Sequence, residues 1–235
     1  MKEFLVNYYT IIIHSVEIFA AIAGSLYVYK SRDNITRFFV YYLWLTVIVE
    51  NLALYAGFMH NNYNNDLFIL IKNSPFCSNY WLYNVRAIIL IILLGNYYSE
   101  LISNIKFKNY IKILVIGFSV FSIFYLIYSD SFFYNNIPYG FMLRNLIISS
   151  FVCLYYFSVI KSDQVLTFYK SKHFYIGTAL LIWSLAITPL FIFQGYYSFE
   201  NPNFLYLRQF ILLCANIIIY LCFTSVFLLS YFKMK

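Results

Sequence analysis

The sequence predicts an all-α, polytopic membrane protein with seven transmembrane helices. Hydrophobic residues make up 63% of the 235-residue chain and charged residues only 11%, whereas soluble domains carry roughly 45–50% apolar and about 25% charged residues. The apolar residues also gather into seven runs near the roughly 20-residue length that crosses a bilayer. So little charge cannot cover a water-facing surface, which excludes soluble enzymes, secreted disulfide scaffolds and disordered chains. The lipid bilayer is therefore the first expected partner.

The seven predicted spans are apolar on nearly all faces and do not alternate with period two, which favours helices over a β-barrel. Their bounds are Leu5–Tyr29, Phe38–Met59, Tyr80–Ile102, Tyr110–Tyr128, Phe141–Ile160, His173–Phe193 and Leu205–Phe232. The connections between them are short. We therefore expect residues 1–235 to form a single transmembrane bundle with no extramembrane domain.

The basic residues predict the orientation of the bundle. Eleven of the 16 basic residues lie in or beside the first, third and fifth connections or at the C-terminus. These are Lys30, Arg32, Arg37, Lys106, Lys108, Lys112, Lys161, Lys170, Lys172, Lys233 and Lys235. By the positive-inside rule the N-terminus is outside and the C-terminus cytoplasmic, and we expect a bacterial cytoplasmic (inner) membrane. The net charge of +7 is then a topology signal, and no nucleic acid is expected as a partner.

Ionisable side chains inside the spans are the main candidates for function, because they are costly in lipid. The first span carries His14 and Glu17, and the second carries Glu50. At about 1.5 Å of rise per residue, these three groups and Asn216 of the seventh span lie at similar depths near the bilayer midplane. We expect them to face other helices across a shared polar cluster.

Three arginines form a second pattern. Arg86, Arg144 and Arg208, the last followed by Gln209, each lie within the first two turns of a span that runs from the predicted outer side inward. The alternatives are that they snorkel to outer headgroups or line a pocket. Because the second and third spans form a hairpin and an unpaired buried charge is costly, we predict that Arg86 pairs with Glu50, which could otherwise take up a proton.

Two arrangements of internal repeats remain open. The three Arg-bearing spans favour hairpin pairs of spans 2–3, 4–5 and 6–7 with the first span added. A different pairing sets spans 1–3 against spans 5–7 around a linker span, which is the layout of small sugar transporters with parallel repeats.

The predicted function is a ligand-binding or sensing module that relays to a cytoplasmic or membrane protein partner. Guanidinium groups in a low dielectric bind carboxylate or phosphate, so we expect an outward-facing pocket for an anionic or polar small ligand. The predicted ligand-binding residues are Arg86, Arg144, Arg208, Glu50, His14, Glu17, Asn216 and Gln209.

Two alternatives stay open: a 3+1+3 transporter with proton coupling through Glu50 or Glu17, and a structural subunit of a larger membrane complex. An enzyme is less expected, because the sequence contains no GxSxG, HExxH or CxxC motif. We assign no catalytic residue, and expect neither a cofactor nor a metal ion.

Overall fold

The computed structural model describes residues 2–61, 66–129, 131–137, 140–162, 166–193 and 202–234. Helices make up 88% of the structure, and these ranges contain no β-strand. Seven helices are long and apolar enough to cross a membrane. This confirms the predicted helical class and the predicted number of spans.

The described residues form seven long α-helices, one short α-helix and two single-turn 3₁₀ helices. The bounds of the α-helices are α1 (Lys2–Ser31), α2 (Asn34–Asn61), α3 (Asp66–Lys72), α4 (Tyr80–Leu101), α5 (Ile105–Tyr128), α6 (Gly140–Ile160), α7 (Lys172–Ile192) and α8 (Pro202–Phe232). The spans α2 and α5 begin earlier than predicted because polar side chains cap them outside the apolar run. The Oδ1 atom of Asp33 accepts from the backbone N–H groups of Ile35 and Thr36, and that of Asn104 accepts from Lys106. Such caps satisfy the free N–H groups of a first turn.

The connection between α2 and α4 contains structure that the sequence did not predict. After α3, the segment Pro75–Cys77 forms a 3₁₀ turn. The Tyr55 hydroxyl lies within hydrogen-bond distance of the carbonyl oxygens of Phe76 and Ser78, at 2.8 and 2.6 Å, and can donate to either. The Phe76 ring also packs edge-on against Trp81, with centroids 5.4 Å apart. The turn is therefore fastened to α2 and α4.

Six of the seven spans form a closed ring in the order α1, α2, α4, α6, α7, α8 and back to α1. The remaining span, α5, packs on the outside against α4 and α6. Seven of the eight buried polar side chains of the described residues lie on helices of the ring, and the eighth, Ser122, lies on α5.

The two ends of the ring differ in their basic residues, and we name them accordingly. The Arg end is the end near which Arg86, Arg144 and Arg208 lie, where α1 begins. The Lys end is the opposite one, where Lys30 and Lys172 lie.

The half of the ring near the Lys end is filled by a tightly packed aromatic core. Phe39 of α2 is fully buried and touches Tyr97 of α4, with ring centroids 5.3 Å apart. It also touches Phe223 and Phe227 of α8, at 5.0 and 6.1 Å. Close packing of such large side chains stabilises this half and leaves little room for a ligand.

An ion pair closes the Lys end. The Lys172 ammonium lies 2.7 Å from Oδ2 of Asp33 and 2.5 Å from the Tyr27 hydroxyl, joining α7 to the turn between α1 and α2. Burial by itself would raise the pKa of Asp33, but hydrogen bonds from Lys172 and Thr36 outweigh it. The pKa of Asp33 is therefore held well below its usual range.

Candidate functional site

A cavity of about 290 Å³ lies between α1, α2, α4 and α8, in the half of the ring near the Arg end. Four of the predicted site residues line it, and they come from three different helices. These are His14, Glu17, Glu50 and Asn216. The structure thus brings the predicted polar cluster together around one space.

Glu50 is saturated by its neighbours. Its Oε1 atom lies 2.5 Å from Nη1 of Arg86, and its Oε2 atom accepts from the Tyr83 hydroxyl at 3.0 Å. Arg86 also approaches Oγ1 of Thr46 at 3.5 Å. The predicted pairing of Glu50 with Arg86 is confirmed. Both donors project from α4 one turn apart, so a single helix face supplies them.

Glu17 is in the opposite situation. Its side chain is only 4% exposed, and within the described part of the chain its Oε2 atom has no hydrogen-bond partner. The Tyr220 hydroxyl lies within hydrogen-bonding reach of this carboxyl group. A buried carboxylate without a cation is strongly unfavourable. Glu17 therefore carries either a proton or a cation that comes from outside the bundle.

Asn216 offers its amide nitrogen to the cavity. Its Oδ1 atom accepts from Nε1 of Trp183 on α7 at 2.9 Å. The amide nitrogen is therefore the polar group that remains for the cavity, which this side chain lines. His14 lines the cavity from α1, half-buried and one turn from Glu17.

The three predicted arginines do not share this cavity. Arg86 is used by Glu50, while Arg144 and Arg208 lie over aromatic rings. The Arg144 guanidinium carbon is 4.9 Å from the centroid of Phe141, and that of Arg208 is 5.7 Å from the centroid of Phe191. These two rings are stacked on each other. Arg144 and Arg208 thus flank an aromatic pair that joins α6 to α7.

The arginine-lined pocket expected from the sequence is therefore not this cavity, as its lining in the described residues shows, and ligand binding by the arginines stays a prediction. Neither Arg144 nor Arg208 lines the cavity, and the exposed Gln209 does not line it either. The physical reason is helix rotation, because matching positions along three helices do not make their side chains point at the same place.

Sequence reasoning missed the tyrosines of the site. Tyr9 and Tyr83 both line the cavity, although the abundance of tyrosine in the chain made a belt at the membrane interface the simpler interpretation. A signal was present, because Tyr9, Ile13 and Glu17 follow one another at four-residue spacing and all three line the cavity.

Comparison with known proteins gives no relative from which a function could be transferred, so the geometry of the cavity is the evidence for function. No protein family, no curated protein and no solved structure matches the chain.

Proposed function

We propose that the chain is an integral membrane protein that binds a small polar molecule in this cavity and acts as a sensing module. The observation that carries the proposal is the polar cavity itself, which lies inside a ring of otherwise apolar helices. Its volume of about 290 Å³ is close to the lower end of ligand pockets, which span roughly 300–1,000 Å³. The ligand is therefore small.

Access from one end only suits a sensor. The aromatic core around Phe39 fills the half near the Lys end, so the ligand enters and leaves at the Arg end. The basic connections favour an external Arg end, and we infer that the ligand arrives from outside. The same reasoning gives the N-terminus outside and the C-terminus in the cytoplasm of a bacterial cell.

Helix α8 supplies a physical route for the signal. Asn216 lines the cavity, and two turns further on Phe223 and Phe227 belong to the aromatic core. At the Lys end, the Lys30 ammonium donates to the carbonyl oxygen of Tyr231 at 3.2 Å and lies over its ring. A ligand that shifts α8 therefore changes the surface offered to a cytoplasmic partner.

Cysteine accessibility tests whether water and solutes reach the cavity. Thr10 lines the cavity, while its neighbour Ile11 is 62% exposed on the outer face of α1. In a background where Cys77, Cys153, Cys214 and Cys222 are replaced by serine, we expect Thr10→Cys to react with an external membrane-impermeant maleimide. Ile11→Cys is the control at matched depth, and should react much more slowly because it faces lipid. Equal labelling of the two variants would contradict a solvent-filled cavity.

A second candidate function is a small-solute transporter, and the helix arrangement favours it. With α5 outside the ring, the first three and last three spans meet through α1 with α8 and through α4 with α6. Two groups of three joined in this equivalent way are the layout expected of parallel repeats. Flux into proteoliposomes with and without a pH gradient tests this function. Flux that is lost in Glu17→Gln would favour transport over sensing.

A further inference from the structure

We propose that the ligand of this cavity is a small organic cation, and that its ammonium group is bound by the carboxylate of Glu17. This inference rests on the proposed function, since it names the class of molecule that the cavity takes. It also reverses the expectation of an anionic ligand.

The charged residues that line the cavity favour a cationic ligand. Glu17 and Glu50 line the cavity, whereas no lysine or arginine is among its lining residues in the described part of the chain. The Glu50 charge is cancelled by Arg86, and both of its oxygens are engaged. Glu17 is therefore the carboxylate whose charge is left to a ligand.

The burial of Glu17 also favours a cationic ligand. The residue is only 4% exposed, and within the described residues its Oε2 atom has no hydrogen-bond partner. Oε2 itself is enclosed by the protein, so a ligand ammonium group would donate to the part of this carboxylate that lines the cavity. Such charge-assisted hydrogen bonds are roughly twice as strong as neutral ones. The Tyr9 side chain lines the same space, and tyrosine rings attract cations through their faces.

The rest of the lining favours an organic cation over a metal ion. In the described residues, no group of three or more His, Cys, Asp or Glu side chains could hold a metal ion. The apolar side chains of Ile13, Ala53 and Leu54 also line the cavity. They offer a surface for the carbon atoms that accompany an ammonium group, as in most small-molecule pockets.

The test uses the full-length protein in detergent at constant ionic strength. Thermal unfolding is followed with choline chloride, methylammonium chloride, sodium chloride, sodium acetate, and 3,3-dimethyl-1-butanol, the neutral isostere of choline. The variant is Glu17→Gln, and the matched control is Glu100→Gln, which changes an exposed carboxylate near the Lys end. We expect an ammonium salt to stabilise the wild type and Glu100→Gln, with an affinity about tenfold or more weaker in Glu17→Gln.

Several outcomes would overturn the inference while leaving the cavity as a binding site. One is equal stabilisation by the neutral alcohol, by sodium chloride or by sodium acetate. Another is an ammonium response that persists in Glu17→Gln, because the negative charge of Glu17 is then not needed for binding. No response to any probe would overturn it as well. In that case labelling of Thr10→Cys separates the two proposals, since an unlabelled cysteine means that the proposed function has failed too.

A second measurement keeps the test independent of how well Glu17→Gln folds. Choline should slow the labelling of Thr10→Cys in a protein that retains Glu17, because bound choline and the cysteine side chain share the same cavity. The neutral alcohol should not. Equal protection by the two compounds would overturn the inference.

Discussion

The two halves of the ring differ in how they satisfy the carboxylates that lie inside the bundle. At the Lys end, Asp33 accepts from two backbone N–H groups, from Thr36 and from Lys172, and it joins three helices. In the half near the Arg end, Glu50 is equally well satisfied, but Glu17 beside it is not. A saturated carboxylate is explained by the stability of the fold. The unsatisfied Glu17 beside a cavity is not explained in this way, and this difference is the observation from which we propose a function in that half.

The largest expected effect comes from breaking the ion pair beside the cavity. Arg86→Met leaves the half-buried Glu50 without a cation, which should cost about 3 kcal/mol of unfolding free energy, the lower end of the range for buried pairs. Adding Glu50→Gln should recover most of this loss, because the unpaired charge is then gone. Reversible unfolding in mixed micelles measures both variants, and Arg37→Met, on the exposed surface near the Lys end, is the control. If Arg86→Met were as stable as Arg37→Met, the ion pair between Arg86 and Glu50 would contribute little to stability.

The next effect tests the saturated carboxylate at the Lys end. Asp33→Ala removes the cap of α2 and the partner of Lys172, which should cost about 2–3 kcal/mol. Glu100→Ala changes an exposed carboxylate near the same end, and should stay within about 0.5 kcal/mol of wild type. Labelling of Thr10→Cys should be unchanged in both. Loss of labelling in Asp33→Ala would break the distinction between the two halves.

The pH dependence of stability also tests the stabilising role of Asp33. The pKa of Asp33 is lowered in the folded protein, so its stabilising contribution is present above the unfolded value of about 3.9. It is lost as the pH falls through the lower folded value. The stability difference between wild type and Asp33→Asn should therefore be constant above about pH 5 and shrink below about pH 4. A difference that grew on acidification would have the wrong sign.

The smallest expected effect concerns the arginine outside the cavity. Arg144→Lys weakens the contact with Phe141, and should cost under about 1 kcal/mol. Because Arg144 does not line the cavity, the rate of Thr10→Cys labelling and the response to choline should match those of wild type. A changed choline response would show that Arg144 acts on the site.

Much of the fold and part of the site could be predicted from the sequence. The spans followed from apolar run length, and the earlier starts of α2 and α5 could have been read from their caps at Asp33 and Asn104. The pairing of Glu50 with Arg86 was predictable because adjacent spans form a hairpin. The structure within the connection before α4 was not predicted, since Tyr55 holds it through contacts that a linear sequence does not display.

The sequence by itself determined that seven helices are long and apolar enough to cross a membrane and which ionisable groups lie inside them. Run length and the cost of charge in lipid depend on local composition alone. Only the tertiary structure decided which of those groups meet. It turned Glu17 toward a cavity without a cation, placed Arg144 and Arg208 on stacked rings, and set α5 outside the ring. Helices that are apolar on almost every face carry little information about their own rotation, so packing against neighbours sets it.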